Sequence, residues 1–424
     1  MRMMGKGGIA VLPASPARMR NRDSEYFYRQ DSDFHYLTNF DEPDAVAVLV
    51  PGRPNGEFIL FCRERDATRE IWDGKRAGTG GAIADYGADD AFPISDIDEI
   101  LPGIIEPCER VYYSIGAHPD FDRHLISWVT TLRERGSSVS HTPDEFIRLD
   151  HLLHDLRLYK SRAEITAMRR SAKAAAAAHR RAMGVCRPGL HEYELEAEYQ
   201  HEFRRRGLHM SYLPIVGSGE NACTLHYIEN QRQIEDGDLV LIDIGCEYDH
   251  YASDVTRTFP ASGRFTEAQR AIYEIVLAAH TAALECIAPG KHWNDPHDAA
   301  VKVVTRGLRD IGLLKGRLPT LIRDGAYRQF FMHRTGHWLG LDVHDVGDYK
   351  VSGQWRLLEA GMTLTVEPGI YIASGNRNVP RRWWGIGVRI EDDVLVTKDG
   401  CEVLTRDLPR SADEIEAMVG AALS

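Results

Sequence analysis

The stretch Leu239-Val-Leu-Ile-Asp243-Ile-Gly-Cys-Glu-Tyr-Asp-His-Tyr-Ala-Ser-Asp254-Val-Thr-Arg-Thr-Phe259 contains two strand-like runs, each carrying one aspartate. A chain reversal at Tyr248-Asp249 predicts that Asp243 and Asp254, equidistant from it, face each other across an antiparallel pair. Directly opposed residues in such a pair have Cβ atoms roughly 4.5–5.5 Å apart, and like charges there destabilise the sheet. A cation between them reverses that sign. Asp243 also interrupts an apolar run that reads as a buried strand, where an unpaired carboxylate is costly and usually neutralises. Two readings of this hairpin stand side by side: a metal site, or aspartates that pair with Arg257 or cap the turn.

The chain has 424 residues, beyond the roughly 250–300 at which single cores stop growing, so two domains are expected. Its 43% hydrophobic and 27% charged residues are those of an ordinary globular protein. A net charge of -12 argues against nucleic acid as a partner, and the cationic run Arg204-Arg205-Arg206 reads as a solvated helix end. Seven scattered cysteines without a C-x-x-C pair read as reduced thiols in a cytoplasmic protein. No run of about 18 apolar residues predicts a membrane span, and the first residues show no signal-type apolar segment.

Residues up to about Asp31 are Arg-rich and read as extended. Ala45–Val50 and Glu57–Cys62, separated by the turn-forming Pro51-Gly-Arg-Pro-Asn-Gly56, predict a hairpin. Arg110–Ile115 predicts a strand, and Asp120–Arg135 a helix stopped by Gly136. The pattern changes between Arg148 and Arg162, which places a boundary there: an N-terminal α/β domain over 1–155 and a second domain over 156–424. In the second domain, Ser161-Arg-Ala-Glu164 and Thr266-Glu-Ala-Gln269 have capping-box spacing ahead of helices expected to reach Met183 and Ile287. Helices over Glu192–Arg206 and from Asn294-Asp-Pro296 to Ile311 complete a helix-helix-strands order that occurs twice.

Beyond the hairpin, His333, His337 and His344 crowd the segment Met332-His-Arg-Thr-Gly-His-Trp-Leu-Gly-Leu-Asp-Val-His-Asp345. A helical zinc motif is rejected, because Arg334 occupies the glutamate position and Gly336 breaks the helix. Glu367 closes the β-branched run Thr363-Leu-Thr-Val-Glu-Pro-Gly-Ile-Tyr371, an acid at the end of a strand like Asp243. In Gly385-Ile-Gly-Val-Arg389-Ile-Glu391-Asp-Asp-Val-Leu-Val396, Arg389 and Glu391 share a strand face. A local ion pair explains one such acid. Four in one domain would each need a buried counter-charge.

Asp243, Asp254, His337, Glu367 and Glu391, in this order and these surroundings, resemble the five metal ligands of the pita-bread metallopeptidases, which include methionine aminopeptidase, prolidase and aminopeptidase P. Ile215-Val-Gly-Ser-Gly-Glu-Asn-Ala-Cys-Thr-Leu-His226-Tyr and the stretch from His337 to Asp345 look most like the Xaa-Pro aminopeptidase branch. Ser32–Phe40 and Arg65–Trp72 resemble that branch's N-terminal domain. The resemblance implies an α/β (α+β) architecture: a creatinase-like N-terminal domain serving oligomerisation and substrate access, then a pita-bread catalytic domain.

The activity so implied is a metal-dependent aminopeptidase that releases the first residue from peptides with proline in second place. The implied centre holds two divalent ions, with Asp243 and Glu391 bridging, Asp254 on one ion, and His337 and Glu367 on the other. Oxygen-rich ligands favour Mn²⁺, with Co²⁺ or Zn²⁺ as alternatives. Such an ion pair, ~3.5–4 Å apart, holds a bridging hydroxide as nucleophile. Glu367 is then the proton shuttle, His333 and His344 stabilise the oxyanion, His226 lines the substrate side, and Arg389 orients Glu391 and its neighbours. Asp243 also receives the substrate amine. Asp33, Trp72 and Tyr371 are the implied substrate contacts, the first two near a neighbouring subunit of a homodimer or homotetramer.

Arg334 departs from the pattern, since many relatives carry a small residue there; it bears on rim shape and selectivity. The cationic, aromatic segment Gly375–Trp384 reads either as a peptide contact or as an exposed loop. Two alternatives accompany the leading reading: a prolidase restricted to Xaa-Pro dipeptides, and a non-catalytic binding protein on the same fold.

Overall fold

The strand Gly8–Pro13, buried along nearly its whole length, lies inside a six-stranded sheet in the computed structural model of the protein, which describes residues 1–135 and 142–421. Across the sheet the strands run Asp90–Pro93, Phe58–Cys62, Val46–Leu49, Gly8–Pro13, Arg110–Tyr112 and Glu145–Ile147. The central strand corrects the expectation of an extended N-terminus. Its apolar run Ile9-Ala-Val-Leu12 is paired on one side with Val46–Leu49, antiparallel, and on the other with Arg110–Tyr112, parallel. Pairing on both edges is what removes its backbone from water. The expected hairpin is present, with Val46 opposite Phe61. Helix Pro119–Arg135 packs Leu125, Trp128, Val129 and Leu132 onto one face of the sheet; Gly136, its expected stop, lies outside the described residues.

The chain divides into two compact units, Met1–Leu156 and Arg157–Ser424. In the second, helix Arg162–Val185 opens on Ser161 with a complete capping box, and helix Glu267–Leu284 opens on Thr266 in the same way. The first of these extends past Gly184, which is buried. Helices Glu192–Arg204 and Asp295–Asp310 complete the two pairs, and each pair precedes strands. The alanines at 174, 175, 176 and 178 are buried and form packing surface. Small side chains there let the helix lie close against its neighbours. No helix among the described residues is long and apolar enough to cross a membrane.

The hairpin of the opening stretch forms, but in a different register. Strands Leu239–Ile244 and Val255–Pro260 place Asp243 opposite Thr256, not Asp254. The reversal falls one residue later than expected, at Asp249-His250, with φ of 55° and 62° and Tyr248 opposite Tyr251. Positive φ at both central residues is the two-residue turn whose twist matches that of paired strands. Asp254 therefore sits diagonal to Asp243 on the same face, beside Gly245. A Cβ on Gly245 would stand 1.7 Å from the Ser253 carbonyl oxygen, so glycine is required for the two arms to close at this point.

Candidate metal centre

All five expected ligands line one cavity of about 300 Å³, together with His226, His333, His344 and Arg389. They reach it from separate elements. Asp243 is the last residue but one of strand Leu239–Ile244, Asp254 precedes the next, His337 lies in a loop, Glu367 follows strand Thr363–Val366, and Glu391 lies just beyond strand Ile386–Arg389. The His337 loop is fastened to the Glu367 strand, because Thr365 N donates to His337 O at 2.9 Å and Glu367 N to Thr335 O at 2.8 Å. Gly336 permits this contact, since a Cβ there would lie 2.1 Å from Thr365 O.

Asp254, His337 and Glu391 present ligand atoms that all lie within 4.8 Å of one another. His337 Nδ1 lies 2.9 Å from the Trp338 carbonyl oxygen. That oxygen can only accept, so Nδ1 carries a proton and Nε2 is the nitrogen turned inward, where a metal ion would take the place of its second proton. Nε2 is 3.3 Å from Asp254 Oδ2 and 3.7 Å from Glu367 Oε1.

The electrostatics ask for positive charge. Burial raises the Glu391 carboxyl well above its usual range, and Asp254, Glu367 and Asp243 raise it further against Arg389. Burial likewise raises Glu367 to about 7, with His337 and Arg389 opposing, and raises Asp243 despite Arg389. Asp254 is held low in spite of burial by its contact with His337. Burial pulls His337 down, but Asp254 and Glu367 outweigh it and lift the imidazole to about 9. Four carboxylates facing one another and a single guanidinium fit divalent cations, and the oxygen-rich set suits hard or borderline ions.

Tyr212, which sequence reasoning missed, stands inside this group. Its hydroxyl lies 2.6 Å from Asp243 Oδ1 and 2.5 Å from Asp254 Oδ1. One hydroxyl shared between two carboxylates leaves most of their mutual repulsion for a cation to offset. Thr256 was also missed: its Oγ1 donates to Glu391 Oε2 at 2.6 Å.

Arg389 touches neighbours of Glu391, not Glu391 itself. It donates to Asp243 Oδ2 at 2.5 Å, to the Tyr371 hydroxyl at 2.9 Å and to Thr256 Oγ1 at 3.1 Å, reaching Glu391 through Thr256. Arg257 pairs with neither hairpin aspartate. It is fully buried, donates to Asp392 Oδ1 at 2.8 Å and to Glu391 O at 2.6 Å, and so ties two ligand-bearing strands together.

His333 is kept neutral, at about 3, chiefly by burial and then by Arg389. Its Nδ1 faces Arg334 O at 2.7 Å and its Nε2 faces the Tyr371 hydroxyl at 2.9 Å. Both ring nitrogens are thus engaged. His344 packs on the His337 ring at a centroid distance of 4.0 Å and has no hydrogen bond among the described residues.

Asp33 and Trp72 belong to the first unit. Asp33 lies in helix Ser32–Thr38 with Oδ2 3.4 Å from His154 Nε2, and Trp72 is 81% exposed on helix Ala67–Asp73. Asp33, Asp150 and His154 form a second acid–imidazole group, but Arg148 already donates to Asp150 at 2.6 Å. In the Gly375–Trp384 segment, the Trp384 indole donates to Asn376 O and Val379 O, and none of its residues lines the cavity. Most of the segment is exposed, while Val379 and Trp383 are buried.

The family model of Metallopeptidase family M24 matches residues 166–398, and that of Aminopeptidase P, N-terminal domain, matches residues 1–112. An Xaa-Pro aminopeptidase of Escherichia coli is 46% identical, over 99% of this chain and 95% of the relative. Among solved structures, an aminopeptidase from Pseudomonas aeruginosa superposes with a TM-score of 0.98 at 60% identity, covering 100% of this chain and 96% of the other. A zinc-substituted Escherichia coli aminopeptidase P in complex with product gives 0.96 at 46%, covering 99% and 95%. With two family models matched in tandem, and likeness along its full length, this chain belongs to metallopeptidase family M24 and carries an aminopeptidase P N-terminal domain.

Proposed function

We propose that the chain is a metal-dependent aminopeptidase that releases the residue preceding proline from the N-terminus of peptides. The observation that carries this reading is the convergence of four carboxylates and one imidazole turned Nε2-inward on one small cavity, in a chain similar throughout to an Xaa-Pro aminopeptidase. Asp243, Asp254, His337, Glu367 and Glu391 would hold two divalent ions, with Mn²⁺ the favoured metal and Co²⁺ or Zn²⁺ alternatives. When bound, the ions supply Lewis acidity and make a water acidic enough to act near neutral pH.

The residues do the rest. Glu367, raised toward neutrality, accepts a proton on its carboxylate and returns it to the leaving proline nitrogen. His344, with an uncommitted ring edge on the cavity, donates to the scissile carbonyl oxygen as negative charge develops there. His333 acts beside it as a wall braced by Tyr371, and its ring reaches the oxygen only by giving up one of its two present partners. Arg389 holds Asp243 in place for the substrate amine, and His226 borders the cavity on its exposed side.

Asp33 and Trp72 are assigned to substrate contact across an oligomer, a reading supported by the exposure of Trp72. A cytoplasmic setting agrees with seven free cysteines. The test compares Gly-Pro with Gly-Pro-Pro after loading with Mn²⁺. Cleavage of the tripeptide is expected; cleavage of the dipeptide alone would assign a prolidase instead, and inactivity with every divalent ion tried would favour a binding protein.

A further inference from the structure

Arg334 stands on the rim of the same cavity and takes no part in the chemistry above. Its guanidinium lies over the Trp355 ring at 4.9 Å and donates to Asn294 Oδ1. Asn294 is itself aimed, because its Nδ2 donates to Asp298 Oδ2 at 2.7 Å. Trp355 carries a second cation: Lys350, directly opposite it across a two-stranded ladder, places Nζ 4.3 Å from the ring centroid. Neither cation has a carboxylate within ion-pair distance among the described residues, in a chain whose net charge is -12. Cations of that kind are usually met by one of the many acids nearby, so two left open on one indole mark a surface built for an anion from outside.

The place of this pair sets what the anion is. A cavity of about 300 Å³ is at the small end of ligand pockets, so the part of a peptide beyond its first residues must cross the rim. The substrate ammonium is drawn to the acids at the floor. The opposite end of the peptide, which leaves with proline, is repelled by that floor and attracted to the rim. Burial pulls Arg334 below its usual value while Asp298, reached only through Asn294, pushes it back, so the cation is partly dehydrated and has no direct carboxylate partner among the described residues.

We propose that Arg334, seated on Trp355 and supported by Lys350, recognises a carboxylate carried just beyond the proline of the substrate. The inference rests on the aminopeptidase reading of the site. The carboxylate has two sources, the C-terminus of a short peptide or an acidic side chain following proline, and both present the same planar pair of oxygens to a guanidinium.

The experiment measures kcat/KM of the metal-loaded enzyme on Gly-Pro-Ala, its C-terminal amide, and Gly-Pro-Glu amide, for the wild type, Arg334→Gln and Lys350→Gln. The wild type is expected to favour Gly-Pro-Ala over its amide roughly two- to fivefold, the span of a partly screened ion pair. That ratio should fall toward one in Arg334→Gln and part of the way in Lys350→Gln. A Gly-Pro-Glu amide that regains the preference assigns the side-chain source, and one that does not assigns the C-terminus. A ratio near one in the wild type, or one unaltered by Arg334→Gln, overturns the proposal and leaves Arg334 as a staple between Asn294 and Trp355. Calorimetric binding of Pro-Ala and Pro-Ala amide separates the two readings. Absence of all hydrolysis with a retained preference for the acid sinks the aminopeptidase assignment but not the carboxylate site.

Discussion

In the proposed mechanism Glu367 concentrates the chemistry in one side chain, since it both faces His337 and is raised toward neutrality by burial. Glu367→Ala should lower turnover of Gly-Pro-Pro by at least about 10²-fold, the usual share of a positioned acid–base group. Its circular dichroism should match the wild type, because the side chain ends in the cavity and not in the core. Activity retained at the wild-type rate would remove Glu367 from the mechanism. At this scale the candidate acids were legible because an acid inside or closing an apolar, β-branched run is conspicuous, whereas His337 was marked as a candidate ligand only by the family resemblance. Tyr212 and Thr256 were not, because hydroxyl-bearing residues are common in strands and nothing local says what they face. Thr256 had one faint signal: it lies two residues beyond Asp254, the spacing that puts both on one strand face.

Between elements, the site depends on close backbone approaches that a side chain would block. Gly336→Ala would set a methyl against Thr365 O, 2.1 Å away, and so pry the His337 loop from the strand that leads to Glu367. Overpacking of this kind typically costs about 1–3 kcal/mol, and the separation of two ligands should also weaken Mn²⁺ binding. Denaturant midpoints and metal calorimetry on the same variant check both expectations; a wild-type affinity would show that the loop and strand are not coupled at the site. Capping boxes and Pro-Gly punctuation made the helices readable to within a few residues. The hairpin register escaped because its turn is Asp249-His250, with no glycine to announce two left-handed residues. The N-terminal strand escaped because the basic residues around it outweighed a short apolar run.

For the catalytic unit as a whole, the buried triad of Arg157, Lys160 and Asp345 joins distant stretches of chain. Asp345 accepts from Arg157 at 2.6 Å and from Lys160 at 2.8 Å, and all three side chains are at most 3% exposed. Burial alone would raise Asp345, but the two cations hold it below its usual value. Its folded pKa is therefore depressed, so its stabilising share is present above the unfolded value of about 3.9 and disappears as pH falls through the folded one. Urea unfolding from pH 7 to 3 should show a steeper acid loss for the wild type than for Asp345→Asn. At pH 7 the variant should be weaker by ~3–5 kcal/mol, because Lys160 is left buried without its carboxylate while Arg157 keeps Asp342. Parallel pH profiles would refute this. Nothing in the local sequence around Lys160 or Asp345 tells of the tie, which spans 185 residues.

The Asp249-His250 turn also sets which changes of length the catalytic strands can absorb. Two residues are as short as a hairpin connection becomes, and one more is accommodated as a three-residue loop. A deletion has no such outlet. The strands would have to slip by one, and a slip by one turns every side chain to the opposite face, sending Asp254 away from Asp243 and toward the packed interior. Insertions at this tip should therefore survive in functional variants and single deletions should not, an asymmetry that a library of loop-length variants would reveal.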